Sequence, residues 1–465
     1  MSQTKLSVKD HKHTYTYEIK RMTMYQQSKI IELTDEQNET FYMFYYKNKY
    51  LNIVKAKPFK PDSHIANAYQ HGITFPSPHP FIDATLAASD VYKKHRFNDL
   101  FPRLQKQFSN QETTVIATFF ESFIKKEQLV RFIKTLFYDD RRSGKMFACY
   151  RMYRILETFA PTHSWVRSLA GELEFKKFSP LYEKLDPSLW DKDPFFMENT
   201  LWQELSDENK YNQLIAFLQR QGRWLEELAV CIKRVEIEPA GSSYPLLTDK
   251  LRVHFSGDAY TTVLEDLYSR IPASPPLQSD LLEQYLSQDA PEKALKLIAT
   301  HDLTLEEKQL QQFNTIVDHI DLASGSLSLE ELNHVIASLF TVIPNQARTL
   351  LEKAIRILMT DHDLSYIKDW LDPLATIPEA QEVVQQIERM QAFQDDPNHQ
   401  LQLGELYYTF NQLNQAIECF SFEMELNEHN PKPVQWLSKL YNELGMKQEA
   451  KAYQKLYVDM VENAQ

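Results

Sequence analysis

The chain has 465 residues, 43% of them apolar, and a formal net charge of −13 at pH 7. That charge argues against a general affinity for nucleic-acid backbones, whose partners cluster Lys and Arg, and no run of about 18 apolar residues marks a membrane span. Only 9 glycines leave few positions for positive-φ turns, which suits long helices joined by short polar loops, and the length allows two to four domains or one elongated solenoid.

Residues 1–57 differ from the rest. Thr14 to Lys20, Lys29 to Leu33, Phe41 to Tyr46 and Tyr50 to Val54 are short aromatic and β-branched runs separated by polar clusters. They predict a small antiparallel meander of three or four strands whose apolar face packs on the helices that follow. Its aromatics are assigned to that packing, with a docking edge as the alternative. The polar start of the chain has no signal-peptide core, and Cys149, Cys231 and Cys419 lie too far apart for a ligand spacing. Reduced packing thiols in a cytoplasmic protein are the expectation.

Residues 58–90 contain Pro58, Pro61, Pro76, Pro78 and Pro80, which predict a linker with little regular structure. His64, His71 and His79 fit no compact metal-ligand spacing. Residues 91–237 then read as a helical domain. Val115, Phe119, Phe120, Phe123 and Ile124 form one apolar stripe, and Leu129, Phe132, Ile133, Leu136 and Phe137 form the next. Further helices are predicted over 145–160, 163–177, 195–206, 209–221 and 223–236. The Arg141-Arg142-Ser143-Gly144-Lys145 run lacks the earlier glycine of a phosphate-cradling loop and reads as a solvated turn between helices.

Two proline-rich stretches, Glu238 to Pro245 and Ile271 to Pro276, predict an irregular connector over 238–278. From 279 to 465 a helical repeat domain is expected. Leu281, Tyr285 and Ala294 have the spacing of Leu403, Tyr407 and Ala416, while Thr304 with Glu307 and Ser328 with Glu331 read as capping boxes.

The strongest internal signal lies near the carboxyl terminus. Leu403, Leu406, Tyr407 and Ala416 recur 34 residues later as Leu437, Leu440, Tyr441 and Ala450. With Leu403-Gly404-x-x-Tyr407, Ala416 and Phe420, this stretch resembles the tetratricopeptide repeat, whose helix-turn-helix units have that period. The second copy departs from the pattern, with Ser438 for the glycine and Gln454 for the last aromatic. The opening tryptophan is also missing, since Gln400 stands in its place. The resemblance implies an α-solenoid, so the expected fold is mostly α with a small antiparallel β element at the amino terminus. It also implies a groove lined by the first helix of each unit, which places Leu401, Glu405, Tyr408, Gln435, Lys439 and Asn442 against a partner. Leu401 and Glu405 stand where the variant that clamps a terminal carboxylate carries Lys and Asn. The expected ligand is instead an amphipathic helix or extended peptide with apolar and basic side chains.

No catalytic, cofactor or metal site is expected. The loop from Asp321 to Glu331 imitates a calcium motif, but Ile320, Leu322 and Ser324 fall at ligand positions. Glu331-x-x-His334 lacks the second pair and extra glutamates of a diiron bundle. His11-Lys12-His13 lies at a terminus, and there is no Gly-x-Ser-x-Gly elbow or glycine-rich dinucleotide turn. The function expected is a non-catalytic protein-interaction scaffold or adaptor, with self-association through the last helix as a further option. Two alternatives stand beside it. One is a peptide-sensing regulator with an effector bundle over 90–236 and a sensor over 279–462. The other is an enzyme with a dispersed site in the first half, for which His163 and Arg167 are the candidates.

Overall fold

The computed structural model describes residues 5–10, 13–87, 92–239, 243–301, 303, 305–317 and 329–463, with side chains left out at 314–317, 329–331 and 463. The protein is mostly α-helical with one sheet at its amino end, and it divides into two compact units, Met1–Leu277 and Gln278–Gln465.

The sheet comprises β1 (Lys5–Asp10), β2 (His13–Tyr25), β3 (Ser28–Thr34), β4 (Thr40–Tyr46), β5 (Lys49–Lys55), β6 (Ile73–Pro76) and β7 (Tyr92–Lys93). β1 to β5 form an antiparallel meander, β7 joins β1 in parallel, and β6 lies antiparallel to the second half of β2. The expected meander is thus larger than three or four strands. β1 has only Leu6 and Val8 as buried apolar residues among charges, and β6 and β7 come from beyond residue 57.

β4 is buried on both faces, as its unbroken aromatic run requires. Tyr42, Phe44 and Tyr46 meet a helical cluster that includes Ile65, Leu104, Ile116 and Phe120. On the other face Phe41 packs edge-on to Tyr17 at 4.9 Å, and Tyr45 lies against Tyr50 and Tyr92. The aromatics of β4 are therefore core, not a docking edge. The two ends of the strand order meet through side chains of β5, among them Tyr50, whose hydroxyl donates to the Lys93 carbonyl (2.7 Å). The carboxamide of Asn52, fully buried on β5, donates to the His95 carbonyl (2.9 Å) and accepts from the His95 N–H (2.8 Å). It imitates a strand partner and seals β5 against the chain that leaves β7.

Residues 58–87 are not a linker. Ser63 caps a helix at His64–His71, β6 follows, and His79 caps a second helix at Pro80–Leu86. The prolines bracket these elements without breaking them: Pro76 ends β6, and Pro80 occupies a first helical turn, where no N–H is needed. Gly72 permits the tight passage into β6, because a Cβ there would stand 2.6 Å from the Met24 carbonyl oxygen.

Of the first expected stripe, Val115 and Phe119 lie on helix Asn110–Phe119, while Phe120, Phe123 and Ile124 fall in the turn that ends it; the second stripe lies on Lys126–Arg142, which is followed by Met146–Phe159. The predicted helix over 163–177 is two pieces, Ser164–Ala170 and a single 3₁₀ turn at Phe175–Lys177, parted after Gly171. Later helices are Pro194–Trp202, Glu208–Arg220 and Trp224–Ile237. The supposed connector at 238–278 carries helices Ser243–His254 and Gly257–Arg270 and the start of Pro275–Ser287. Leu247, Leu251, Val263, Leu264 and Leu267 are fully buried, so apolar periodicity outweighed the prolines.

A charged cluster lies inside the first unit. Lys29 on β3, 1% exposed, donates to Glu226 (2.9 Å), Asn48 (2.7 Å) and the Lys47 carbonyl (3.0 Å). Arg223 grips both oxygens of Glu198 at 2.8 Å and lies 3.4 Å from Glu226. Burial alone would raise the Glu226 carboxyl, but Lys29 and Arg223 outweigh it and hold it below its ordinary range. These four side chains tie β3 to helices Pro194–Trp202 and Trp224–Ile237.

In the second unit, Gln278 meets His301 at 3.1 Å, joining the start of Pro275–Ser287 to the end of Pro291–His301 as an antiparallel pair. Leu281, Tyr285 and Ala294 are all buried there. The carboxyl-terminal part contains two helical hairpins, Gln400–Thr409 with Leu413–Leu426 and Pro431–Glu443 with Lys447–Asn463. Thr304, Ser328 and nearly all of the calcium-like loop lie outside the described residues, as do His11 and Lys12.

Candidate functional site

The seam between the two hairpins explains the repeat motif. Leu403 and Ala416 are buried, and the Phe420 ring lies across Gly404, where a Cβ would come within 2.7 Å of it. Phe420 stacks on Trp436 at 5.4 Å, and Leu437 and Leu440 are fully buried against it. In the second hairpin the glycine and phenylalanine have changed together. Ser438 replaces Gly404, Gln454 replaces Phe420, and the Ser438 hydroxyl donates to the Ala450 carbonyl at 3.0 Å. Tyr441 stacks on Tyr453 at 5.4 Å, and Tyr407 borders the buried cluster.

The six residues implied as partner-binding separate into three groups. Leu401 and Tyr408 pack in the seam. The Tyr408 hydroxyl donates to Glu443 (2.9 Å), and the Lys439 ammonium sits over its ring at 4.3 Å. Glu405 is exposed on the first hairpin. Gln435, Lys439 and Asn442 line one cleft of about 480 Å³ between the helices of the second hairpin. The same cleft is lined by Lys447, Lys451, Gln454 and Tyr457 of the second helix, of which the motif singles out only position 454. The signal for them lay in the repeat register, since they occupy the positions of Leu413, Ile417, Phe420 and Glu423, 34 residues earlier.

The clefts of the first unit include two of comparable volume. One, of about 460 Å³, is lined by Arg151, Arg154, Glu121, Glu157, Asp62 and His64 among others. Its charges are partly matched internally, with Arg154 to Glu157 at 3.1 Å, and burial draws the His64 ring down to about 3, so that it stays neutral. The other, of about 420 Å³, lies beside β5 with Lys57, Arg96 and His95 over Ile53, Phe97 and Phe123. Burial and the neighbouring Arg103 and Lys93 lower the His95 pKa.

His163 and Arg167 belong to none of these clefts. His163 caps its helix by accepting from the Trp165 N–H at 3.2 Å, and Arg167 reaches the Pro161 carbonyl at 3.4 Å. The Arg141 to Lys145 run is a turn with Gly144 at φ 70°, where Arg141 pairs with Glu172 and Lys145 with Asp140. Cys149, Cys231 and Cys419 are free and buried, which pushes each thiol up to about 11. Among the described residues, no group of three or more potential metal ligands comes together, and no helix is long and apolar enough to cross a membrane.

No family model and no curated protein matches the chain. Among solved structures it is similar to one described as "Structure of Naa15/Naa10 bound to HypK-THB", at 10% identity and a TM-score of 0.19, covering 77% of this chain and 60% of that one. A superposition that loose relates no residue of one chain to a residue of the other. The helical-repeat character of residues 400–463 therefore stands on the packing of the two hairpins themselves.

Proposed function

We propose that this is a non-catalytic protein-interaction protein, and that a partner docks on the second hairpin of the repeat region, over Gln435, Lys439 and Asn442. One observation carries the reading. The face of the first hairpin is covered by the helix Pro431–Glu443, whereas the matching face of the second is a cleft of about 480 Å³ with exposed Gln435, Lys439, Asn442, Lys447 and Lys451. Stacked helical units expose such faces as binding surfaces.

The test is site-specific photocrosslinking in the native cytoplasm, with a photoreactive side chain at Gln435 and a control at Val253, which is 77% exposed in the first unit. A discrete protein adduct formed from position 435 and absent from 253 is expected. No discrete adduct from 435, or the same adducts from both positions, refutes the reading.

A further inference from the structure

The two hairpins share one register, so each position of the open cleft has a counterpart whose occupant is visible. In the first hairpin Leu401, Tyr408, Leu413, Ile417 and Phe420 border the buried cluster under a helix of the next unit. Thirty-four residues on, the same positions hold Gln435, Asn442, Lys447, Lys451 and Gln454. Each of these five has become an amide or a lysine, while the backbone that shapes the cleft is retained, with Ala450 still buried at the place of Ala416. A further apolar helix of the same kind would lose its packing there and bury three ammonium groups without partners.

Charge fixes the class of occupant. Lys439, Lys447 and Lys451 line the cleft and no carboxylate does. Among the described residues, Lys447 and Lys451 make no ion pair, and Lys439 meets only the Tyr408 and Trp436 rings. Lys447 and Lys451 are four apart on one helix and so present their ammonium groups on one face. Resting on the interaction reading above, we infer that this cleft takes an acidic helical segment of a partner protein. Its carboxylates, spaced four apart, meet Lys447 and Lys451, and its backbone lies where Pro431–Glu443 lies on the preceding hairpin. The helical form follows from that precedent, and the acidity follows from the three lysines. A second copy of this chain is disfavoured by the net charge of −13.

The probe is a fluorescently labelled alanine-based helix with Glu pairs four residues apart, compared with versions carrying Gln or Lys at those positions, by anisotropy on the full chain. Two solvent-facing charge pairs imply a preference of about tenfold for the Glu over the Gln probe at low salt, shrinking as salt rises. In K447E/K451E the Glu probe is expected to be lost and the Lys probe gained, and that gain shows the variant is folded. Equal binding of Glu and Gln probes, or no exchange of preference in the charge-swapped chain, overturns the inference. Dimerisation of the full chain that K447E/K451E abolishes also overturns it, by making the occupant a second copy. If position 435 still crosslinks a discrete partner while the probes show no charge preference, the acidic class falls and the interaction reading stands.

Discussion

Replacing Gly404 by Ala tests the packing that defines the repeat seam. An added Cβ would stand 2.7, 2.8 and 3.0 Å from three atoms of the Phe420 ring, which is itself fixed by stacking on Trp436. Overpacking of this kind costs about 1–3 kcal/mol, while Ala in a helix interior recovers about 1 kcal/mol relative to Gly, so a net loss near 1 kcal/mol is expected. Phe420→Ala alone should cost about 3–5 kcal/mol, as the ring is fully buried. In the double variant the clash is gone and the helical gain remains, so it should be more stable than Phe420→Ala by about 1 kcal/mol. The coupling energy is then about −2 kcal/mol. Hydrogen exchange of peptides within 400–426 reads the local opening free energy without assuming that the two units unfold together. A coupling within about 0.5 kcal/mol of zero would refute the claim that Phe420 dictates the glycine.

The buried charges of the first unit make a second prediction. Lys29→Met leaves Glu226 with Arg223 alone and should destabilise that unit by about 3–5 kcal/mol, with Lys29→Met/Glu226→Met recovering much of the loss in urea melts. His79 gives a pH dependence. Its ring is 1% exposed, and burial, with Arg270 nearby, draws its pKa down to about 3. A folded value below the unfolded one means that the stabilisation is complete above about pH 6.5 and declines as the pH falls toward 3. About 2 kcal/mol should be gone by pH 5, and His79→Asn, which keeps an acceptor for the Phe81 N–H, should flatten that part of the pH–stability curve. The three thiols, each pushed up to about 11, should react with a disulfide reagent at pH 8 only at the rate of unfolding, and a fast-reacting thiol in the native chain would contradict their burial.

Local chemistry in the sequence reached some of these features and not others. β2 to β5 were legible because aromatic and β-branched runs of strand length stand between polar turns, and the helix Lys126–Arg142 because its stripe keeps one period. Residues 58–87 hold more regular structure than their five prolines suggest, because Pro76 and Pro80 stand at element ends where a missing N–H costs nothing. Helices Ser243–His254 and Gly257–Arg270 were hidden for the same reason. At the cleft, Gln435, Lys439 and Asn442 followed from the first-helix rule, but Lys447 and Lys451 lie on a second helix to which that rule does not apply. The charged group of Lys29, Glu198, Arg223 and Glu226 joins residues up to 197 positions apart, and no local pattern announces such a meeting.

The seal made by Asn52 has a bearing on how the chain is born. Asn52 and His95 are 43 residues apart, so at roughly 5–20 residues per second the ribosome needs about 2–9 s to deliver the second half of the latch after the first. For that interval β5, with Leu51, Ile53 and Val54, stands at the edge of the meander without the stretch that later lies beside it. An open strand edge invites pairing with another chain, so the interval between the synthesis of Asn52 and that of His95 is one in which a chaperone would matter, well ahead of the repeats.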